Sequence, residues 1–484
     1  MAWATPNSLR EGLAAGDLSA EGLVHAGFDR INRLEGHLHA VLSADKGRSL
    51  DQARAADARL ARGERGPVLG LPVVLKDNLH WKGAACTSGS KILDGYRAPY
   101  DATVVARLLQ AGAVPLAKAN MDEFAMGSSG EFSAFGPARN PWDATRVPGG
   151  SSSGSAVSVA AGYAPFALGS DTGGSVRLPS SFCNLTALRP TYGVLSRYGV
   201  TSMASSLDQV GPIARTAEDV AALLSVMAGA DPLDATSVDL PRQEALWPLR
   251  AASLKGLKVG LPREYFGEGL EAGVREAIEG ALATFKDAGA ELVEVDLPHT
   301  RYAIDAYYLV CTSEVSSNLS RFDGLRYGLS ERAEGQSLAE LMALTRNTGF
   351  GAEAKRRILL GTFCLSKGHY DAFYLKALKV RTLILRDFLK AFEQVDVLAT
   401  PVSPTVAFPL GAKLDDPLAM HLADVYAVGA PLAGLPALAF PAGFSAGLPV
   451  GMQLMGPSLS DVRLLEFVQA FQDRTDYHLR TPEL

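Results

Sequence analysis

Apolar positions along this chain follow two alternating rhythms, a helical one with apolar residues three or four apart and short unbroken apolar runs of strand length. Residues 19–34 open with Ser19, a good helix N-cap, and place Leu23, Phe28, Ile31 and Leu34 on one face. An alanine-rich helix is expected from about Ala44 to Arg62-Gly63, followed by an apolar run, Val68–Leu75, with the β-branched content of a strand. Lys76 therefore stands at the end of a buried strand. A helix over Thr103–Ala111, a strand at Val114–Ala117, a small-residue helix after Gly154 and a strand at Pro165–Leu168 continue the alternation, and Thr216-Ala217-Glu218-Asp219 starts a further helix.

Residues 230–253, rich in Asp, Pro and other polar residues, read as a connecting excursion. Strands are then expected at Leu257–Leu261 and Leu292–Val295 around a helix over about Leu270–Ala288. Long helices follow to about Val395, then strands at Val397–Ala399, Ala437–Phe440 and Val450–Leu454, and a closing helix over Ser460–Gln472. Short strands alternating with helices make this an α/β chain, and no tandem repeat is present. The expected organisation is one domain over 1–484: an N-terminal helical segment (1–66), a core bearing the candidate chemistry (67–229), the excursion (230–253) and the remainder of the sheet with its helices (254–484).

Composition narrows the functional classes. The chain is 47% hydrophobic, and no apolar run approaches the roughly 18 to 20 residues of a membrane span. The N-terminus has no basic stretch leading into an apolar one, so a cytoplasmic location is expected. Cys86, Cys183, Cys311 and Cys364 are far apart, without metal-ligand spacing, and read as packed thiols; no metal site is expected. A net charge of −6 argues against a broad nucleic-acid surface, which needs clustered Lys and Arg.

The candidate chemistry lies in three segments: Leu75-Lys76-Asp77-Asn78, Gly149-Gly150-Ser151-Ser152-Ser153-Gly154-Ser155 and Gly169-Ser170-Asp171-Thr172-Gly173-Gly174-Ser175-Val176-Arg177. Amide hydrolysis needs a nucleophile, a base and donors for the oxyanion. Ser175 is the candidate nucleophile, because Thr172, Gly173 and Gly174 before it lack bulk and can turn backbone N–H groups toward one point. Lys76 is the candidate base, provided burial favours its neutral form. Asp171 and Arg177 are expected to brace the loop, and Ser152 to support it. A competing motif, Gly150-Ser151-Ser152-Ser153-Gly154, satisfies G-x-S-x-G with Ser152 as nucleophile, but that elbow must follow a strand and here follows proline-bearing coil. No histidine has the partners of a base.

With these residue types and this spacing the chain resembles the amidase signature family, and the resemblance spans nearly its whole length. It implies a mixed twisted β-sheet covered on both faces by helices, and a triad in which Lys76 acts through Ser151, next to a cis peptide, on Ser175. The outer segments Asn120-Met121-Asp122-Glu123-Phe124-Ala125-Met126-Gly127-Ser128, Tyr307-Tyr308, Lys355-Arg356-Arg357-Ile358 and Asp415-Asp416-Pro417-Leu418 are similar to those of its glutaminase members, which serve tRNA-dependent amidotransferases. Ser153 departs from that branch, where glycine is expected.

The resemblance implies that Arg357 pairs with the α-carboxylate of glutamine and Asp424 with its α-ammonium, while Met126, Gly127, Ser128 and Tyr307 line the pocket. Arg356 is the alternative to Arg357. It also implies two partner subunits, B and C, with ATP and Mg used by a partner and tRNA held mainly there. The product would be Gln-tRNA, with Asn-tRNA left open, and this chain would need no cofactor. A free-standing amidase for small or aryl amides and a catalytically silent scaffold are the two other readings the sequence leaves.

Overall fold

Pro72-Val73-Val74-Leu75 is an unbroken apolar run because both faces of its strand are covered. Val73 and Leu75 pack into one apolar core and Val74 into another, as do Phe166 and Leu168 against Ala167 on a neighbouring strand. Alternate side chains of a strand point to opposite faces, so a strand with a core on each side cannot alternate with polar residues.

The computed structural model describes residues 5–267 and 269–484, so the first four residues of the N-terminus lie outside the described residues. Among those described, eleven strands form one sheet: β1 (Val41–Ala44), β2 (Pro72–Lys76), β3 (Val114–Ala119), β4 (Phe166–Asp171), β5 (Thr186–Arg189), β6 (Gln209–Ala214), β7 (Lys258–Pro262), β8 (Glu291–Val295), β9 (Val397–Pro401), β10 (Ala437–Ser445) and β11 (Leu448–Met455). Their order is β1-β3-β2-β4-β6-β5-β10-β11-β9-β7-β8. Strand β2 runs parallel to β3 and β4, and β7 to β8 and β9, while the other pairings are antiparallel. The expected mixed sheet with helices on both faces is what forms. Helices Ala20–Leu38, Lys46–Ala61 and Ser153–Ala160 fill one core; Thr103–Gln110, Ala217–Met227, Ala272–Asp287 and Asp461–Gln472 contribute to the other.

Local signals set the element ends. Ser19 accepts from the Gly22 N–H at 3.0 Å and caps its helix. The alanine-rich helix starts later than its composition suggests. Asp45 caps it through the Arg48 N–H at 3.0 Å, and Ala44 is instead drawn into β1, opposite Ala117. Residues 68–71 are a turn rather than strand, closed by the Leu71 N–H on the Val68 carbonyl at 3.1 Å, so β2 begins only at Pro72. The excursion at 230–253 lies against the rest of the chain through Val238 N–H to Gly193 O (2.9 Å) and Ala252 N–H to Glu466 O (3.1 Å), and the sheet resumes after it.

The register prepares the site. Val73 pairs with Phe166 and Leu75 with Leu168, so the carboxyl ends of parallel β2 and β4 lie side by side. In open α/β sheets the crevice beyond such ends is where ligands bind. Among the described residues no helix is long and apolar enough to cross a membrane, and no His/Cys/Asp/Glu group could hold a metal ion. The four cysteines are buried free thiols.

Candidate active site

Lys76, the last residue of β2, is fully buried, and its Nζ lies 2.8 Å from Ser151 Oγ, 2.9 Å from Ser152 Oγ, 3.0 Å from Ser170 Oγ and 3.2 Å from the Ser170 carbonyl. Its hydrogen-bond partners are hydroxyls and a carbonyl, not a carboxylate. Burial brings its pKa down to about 7, against the pull of Asp122, Asp171 and Asp208. A neutral amine has two N–H donors and one lone pair, so one surrounding hydroxyl can donate to it. Ser152 Oγ also donates to the Ser170 carbonyl at 3.2 Å, and Ser170 Oγ also accepts from Asn78 Nδ2 at 2.9 Å. The Ser151 hydroxyl bonds only to Lys76 among the described residues.

Ser151 follows a cis Gly150–Ser151 peptide, and the helix Ser153–Ala160 begins two residues later. Coil precedes the segment, so the strand that a G-x-S-x-G elbow requires is missing. Ser152 is fully buried, with its oxygen tied to Lys76 and Ser170.

Ser175 sits beyond the end of β4, 7% exposed, and among the described residues its hydroxyl has no hydrogen-bond partner. Its carbonyl accepts from the Ser152 N–H at 3.0 Å, which fastens the two serine segments together. The turn before it needs glycine on steric grounds. A Cβ on Gly173 would come within 2.5 Å of the Tyr307 ring, and Gly174 holds φ +126° with Ala427 Cβ 2.5 Å from where its own Cβ would stand. Only glycine adopts that conformation readily.

Asp171 organises this turn. Its carboxylate accepts from Gly174 N–H (3.0 Å), Val176 N–H (3.3 Å), Arg177 Nε (3.1 Å) and Arg189 Nη1 (3.2 Å), all buried. Burial alone would raise the Asp171 pKa, but the two guanidinium groups outweigh it and hold it near about 2. Arg177 reaches on to Gln453 Oε1 (2.6 Å) and the Ala427 carbonyl (2.8 Å). The expectation that Thr172, Gly173 and Gly174 all offer oxyanion donors is corrected at Gly174, whose N–H is taken by Asp171. The N–H groups of Thr172, Gly173 and Ser175 have no acceptor among the described residues. The Thr172 hydroxyl is fixed to Asp208 at 2.7 Å.

The four residues proposed to line the pocket are all buried. Met126 belongs to the main apolar core, so what it can present to a ligand is its backbone. Gly127 packs against the Asp122 carboxylate. The Ser128 hydroxyl donates to Asp424 Oδ2 in a short hydrogen bond, and the Ser128 carbonyl accepts the Gly150 N–H at 2.8 Å. Tyr307 covers Gly173 and meets Tyr308 edge-on, ring centroids 5.1 Å apart.

Arg357 and Arg356 separate cleanly. The Arg357 side chain is 7% exposed, its Nε donating to Glu353 Oε1 at 2.6 Å and its guanidinium 5.1 Å from the Tyr308 ring centre; Arg356 is 46% exposed and holds the other Glu353 oxygen at 3.0 Å. The Nη groups of Arg357 have no acceptor among the described residues. Asp424 Oδ1 is likewise without a donor, and burial raises the Asp424 pKa to about 7, opposed by Ser128 and Arg357. An unpaired guanidinium fork and a carboxylate thus act on each other through space beside the unpartnered Ser175 hydroxyl. Ser170, Asn78, Asp122, Glu123, Asp208, Arg189 and Gln453 also shape the site and were not singled out in the sequence. Ser170 alone carried a signal, since it lies within the glycine-rich segment of Ser175.

Fold and site together define a class: an α/β protein with a buried lysine–serine cluster beside a glycine turn at the carboxyl ends of parallel strands. The chain belongs to the amidase family, whose model matches residues 22–465. It is 54% identical over 481 residues to the A subunit of glutamyl-tRNA(Gln) amidotransferase from Moorella thermoacetica, covering 99% of this chain and 98% of that one. Among solved structures, the A subunit of the Thermotoga maritima glutamyl-tRNA(Gln) amidotransferase is 38% identical, with 100% of this chain and 98% of the other covered and a TM-score of 0.82. A native peptide amidase from Stenotrophomonas maltophilia is 31% identical with 99% of this chain and 98% of the other covered and a TM-score of 0.83.

Proposed function

We propose that this chain is the glutaminase component of a glutamyl-tRNA(Gln) amidotransferase, and that Ser175 is its nucleophile. The observation that carries the reading is the contrast among the serines: Ser151 and Ser152 face a lysine whose pKa is about 7, and Ser175 keeps an unpartnered hydroxyl at the edge of the site. Neutral Lys76 takes the Ser151 proton while Ser151 takes that of Ser175. The Ser175 oxygen then attacks the side-chain carbonyl carbon of glutamine, and the N–H groups of Thr172 and Gly173 stabilise the oxyanion. Return of the proton through Ser151 to the leaving nitrogen releases ammonia and leaves a γ-glutamyl ester on Ser175. Water, deprotonated along the same route, frees glutamate.

Arg357 receives the α-carboxylate through its unoccupied fork, and Asp424, ionised, receives the α-ammonium. Asp171 and Arg177 hold the turn and do not enter the chemistry. The names of the relatives support partner subunits, B and C, which take up the ammonia; ATP and Mg act on a partner, which also holds most of the tRNA, and the assembly works in the cytoplasm.

Ammonia release from glutamine, measured for the chain alone and with the partners, ATP and glutamyl-tRNA, tests this. Weak hydrolysis that the partners stimulate is expected, together with weak tRNA binding by this chain alone. Full activity on small amides with none on glutamine would replace this reading with a free-standing amidase.

A further inference from the structure

Glu123 is a buried carboxylate, 5 residues from the pocket residue Ser128, that neither the lysine–serine cluster nor the glutamine-binding groups use. Its two oxygens accept the Gly351 N–H at 3.2 and 2.9 Å, and one of them also accepts the Ser90 hydroxyl at 2.5 Å. Gly351 is the N-cap of the helix Ala352–Leu365, which has no side-chain cap of its own and carries Glu353 and Arg357 in its first two turns. A carboxylate at that position satisfies an otherwise unpaired amide and suits the positive end of the helix. The fit is close on both sides, since a Cβ on Gly351 would stand 2.6 Å from Glu123 Oε2.

The backbone next to Glu123 is strained. Phe124 (φ +48°) and Ala125 (φ +62°) are consecutive non-glycine residues in the left-handed region, where such residues persist only when their surroundings hold them. Phe124 is held by Phe322 and by Phe350, the residue before Gly351, with ring centroids 5.0 and 5.7 Å away. The strained turn delivers Met126, Gly127 and Ser128, and Ser128 in turn bonds Asp424.

Resting on the glutaminase reading above, we propose that Glu123 is a positioning residue that sets the distance between the two ends of the glutamine site. It ties the turn that supports Asp424 to the helix cap that orients Arg357, so the carboxylate and ammonium subsites keep the spacing of a free amino acid. Two charged groups on independent segments recognise both termini of one small molecule only if that spacing is fixed.

Steady-state glutamine hydrolysis by the full-length chain with its partner subunits tests this. Glu123→Ala is expected to raise KM for glutamine by about tenfold or more and leave kcat within about twofold, the signature of lost binding rather than lost chemistry. Glu123→Gln, which keeps an acceptor for the Gly351 N–H, should recover most of the affinity. Gly351→Ala, which presses on an intact carboxylate, should raise KM as well. Wild-type KM in Glu123→Ala, or a fall in kcat at unchanged KM, overturns the proposal. If Glu123→Ala does not fold by circular dichroism, wild-type KM in Gly351→Ala overturns it equally. Failure of the wild-type assembly to hydrolyse glutamine overturns the underlying reading and this inference with it.

Discussion

A lysine that is neutral near pH 7 owes that state to its immediate neighbours. Lys76 is ringed by hydroxyls and one carbonyl, so nothing at hydrogen-bond distance rewards a positive charge enough to offset its burial. Arginine at this position cannot deprotonate, so Lys76→Arg is expected to lose roughly 10²–10⁴-fold in kcat with the fold intact by circular dichroism. Near-normal turnover in that variant would remove Lys76 as the base. The pH profile carries a second signature. Lys76 must lose its proton and Asp424 must lose its own, both near about 7, so kcat/KM for glutamine rises steeply with pH through that region. In Asp424→Asn the rise becomes shallower, governed by one proton, and an unchanged slope would contradict the role of Asp424. The sign for stability follows from the same shift. The unfolded chain holds the lysine proton to about 10.5 and the folded chain only to about 7, so between these values unfolding takes up a proton and raising the pH adds stability from this group. Lys76, Ser151 and Ser175 were legible in the sequence because they sit in short contiguous segments. Arg357 was harder to choose, being adjacent to Arg356. A step of one residue turns about 100° around a helix, and that rotation puts one guanidinium inside and the other outside. Arg189 and Gln453 had no local signal, because their part in the site comes from contacts made across the fold.

At the scale of elements, the turn between β4 and the helix Arg177–Phe182 is the part least able to change. Gly174→Ala would place a Cβ 2.5 Å from that of Ala427, at a φ of +126° that alanine resists. A loss of about 1–3 kcal/mol in stability is expected, together with a fall in hydrolysis larger than the stability loss explains, since Ser175 is the next residue. Chemical denaturation and glutamine turnover measured on the same preparation check both; full activity would mean that the turn tolerates a side chain. The strands flanking this turn were partly legible. The run ending at Leu168 foretold β4, but the strand continues to Asp171 because Gly169, Ser170 and Asp171 still pair with β6 through Gly211, Val210 and Gln209. Strands β5 and β6 gave no clear rhythm. They are short and wholly buried, so period-2 alternation is lost and pairing partners decide their conformation.

At the scale of the whole molecule, the strand order has a consequence for how the protein is made. Strand β5, formed by residue 189, waits for β10, and β9 waits for β11, so the middle of the sheet is closed by residues 437–455. A chain stopped after Gly434 would leave those strands with bare edges, which invite aggregation; it is expected to be cut rapidly by protease, and a protease-resistant product would refute this closing role. The same late strand supplies Gln453, against which Arg177 braces the Ser175 turn. Synthesis runs from the N-terminus, so every residue of the lysine–serine cluster leaves the ribosome long before the support for its nucleophile exists. The nascent chain therefore carries its reactive groups in an unassembled and silent form, and hydrolysis begins only when translation is almost complete.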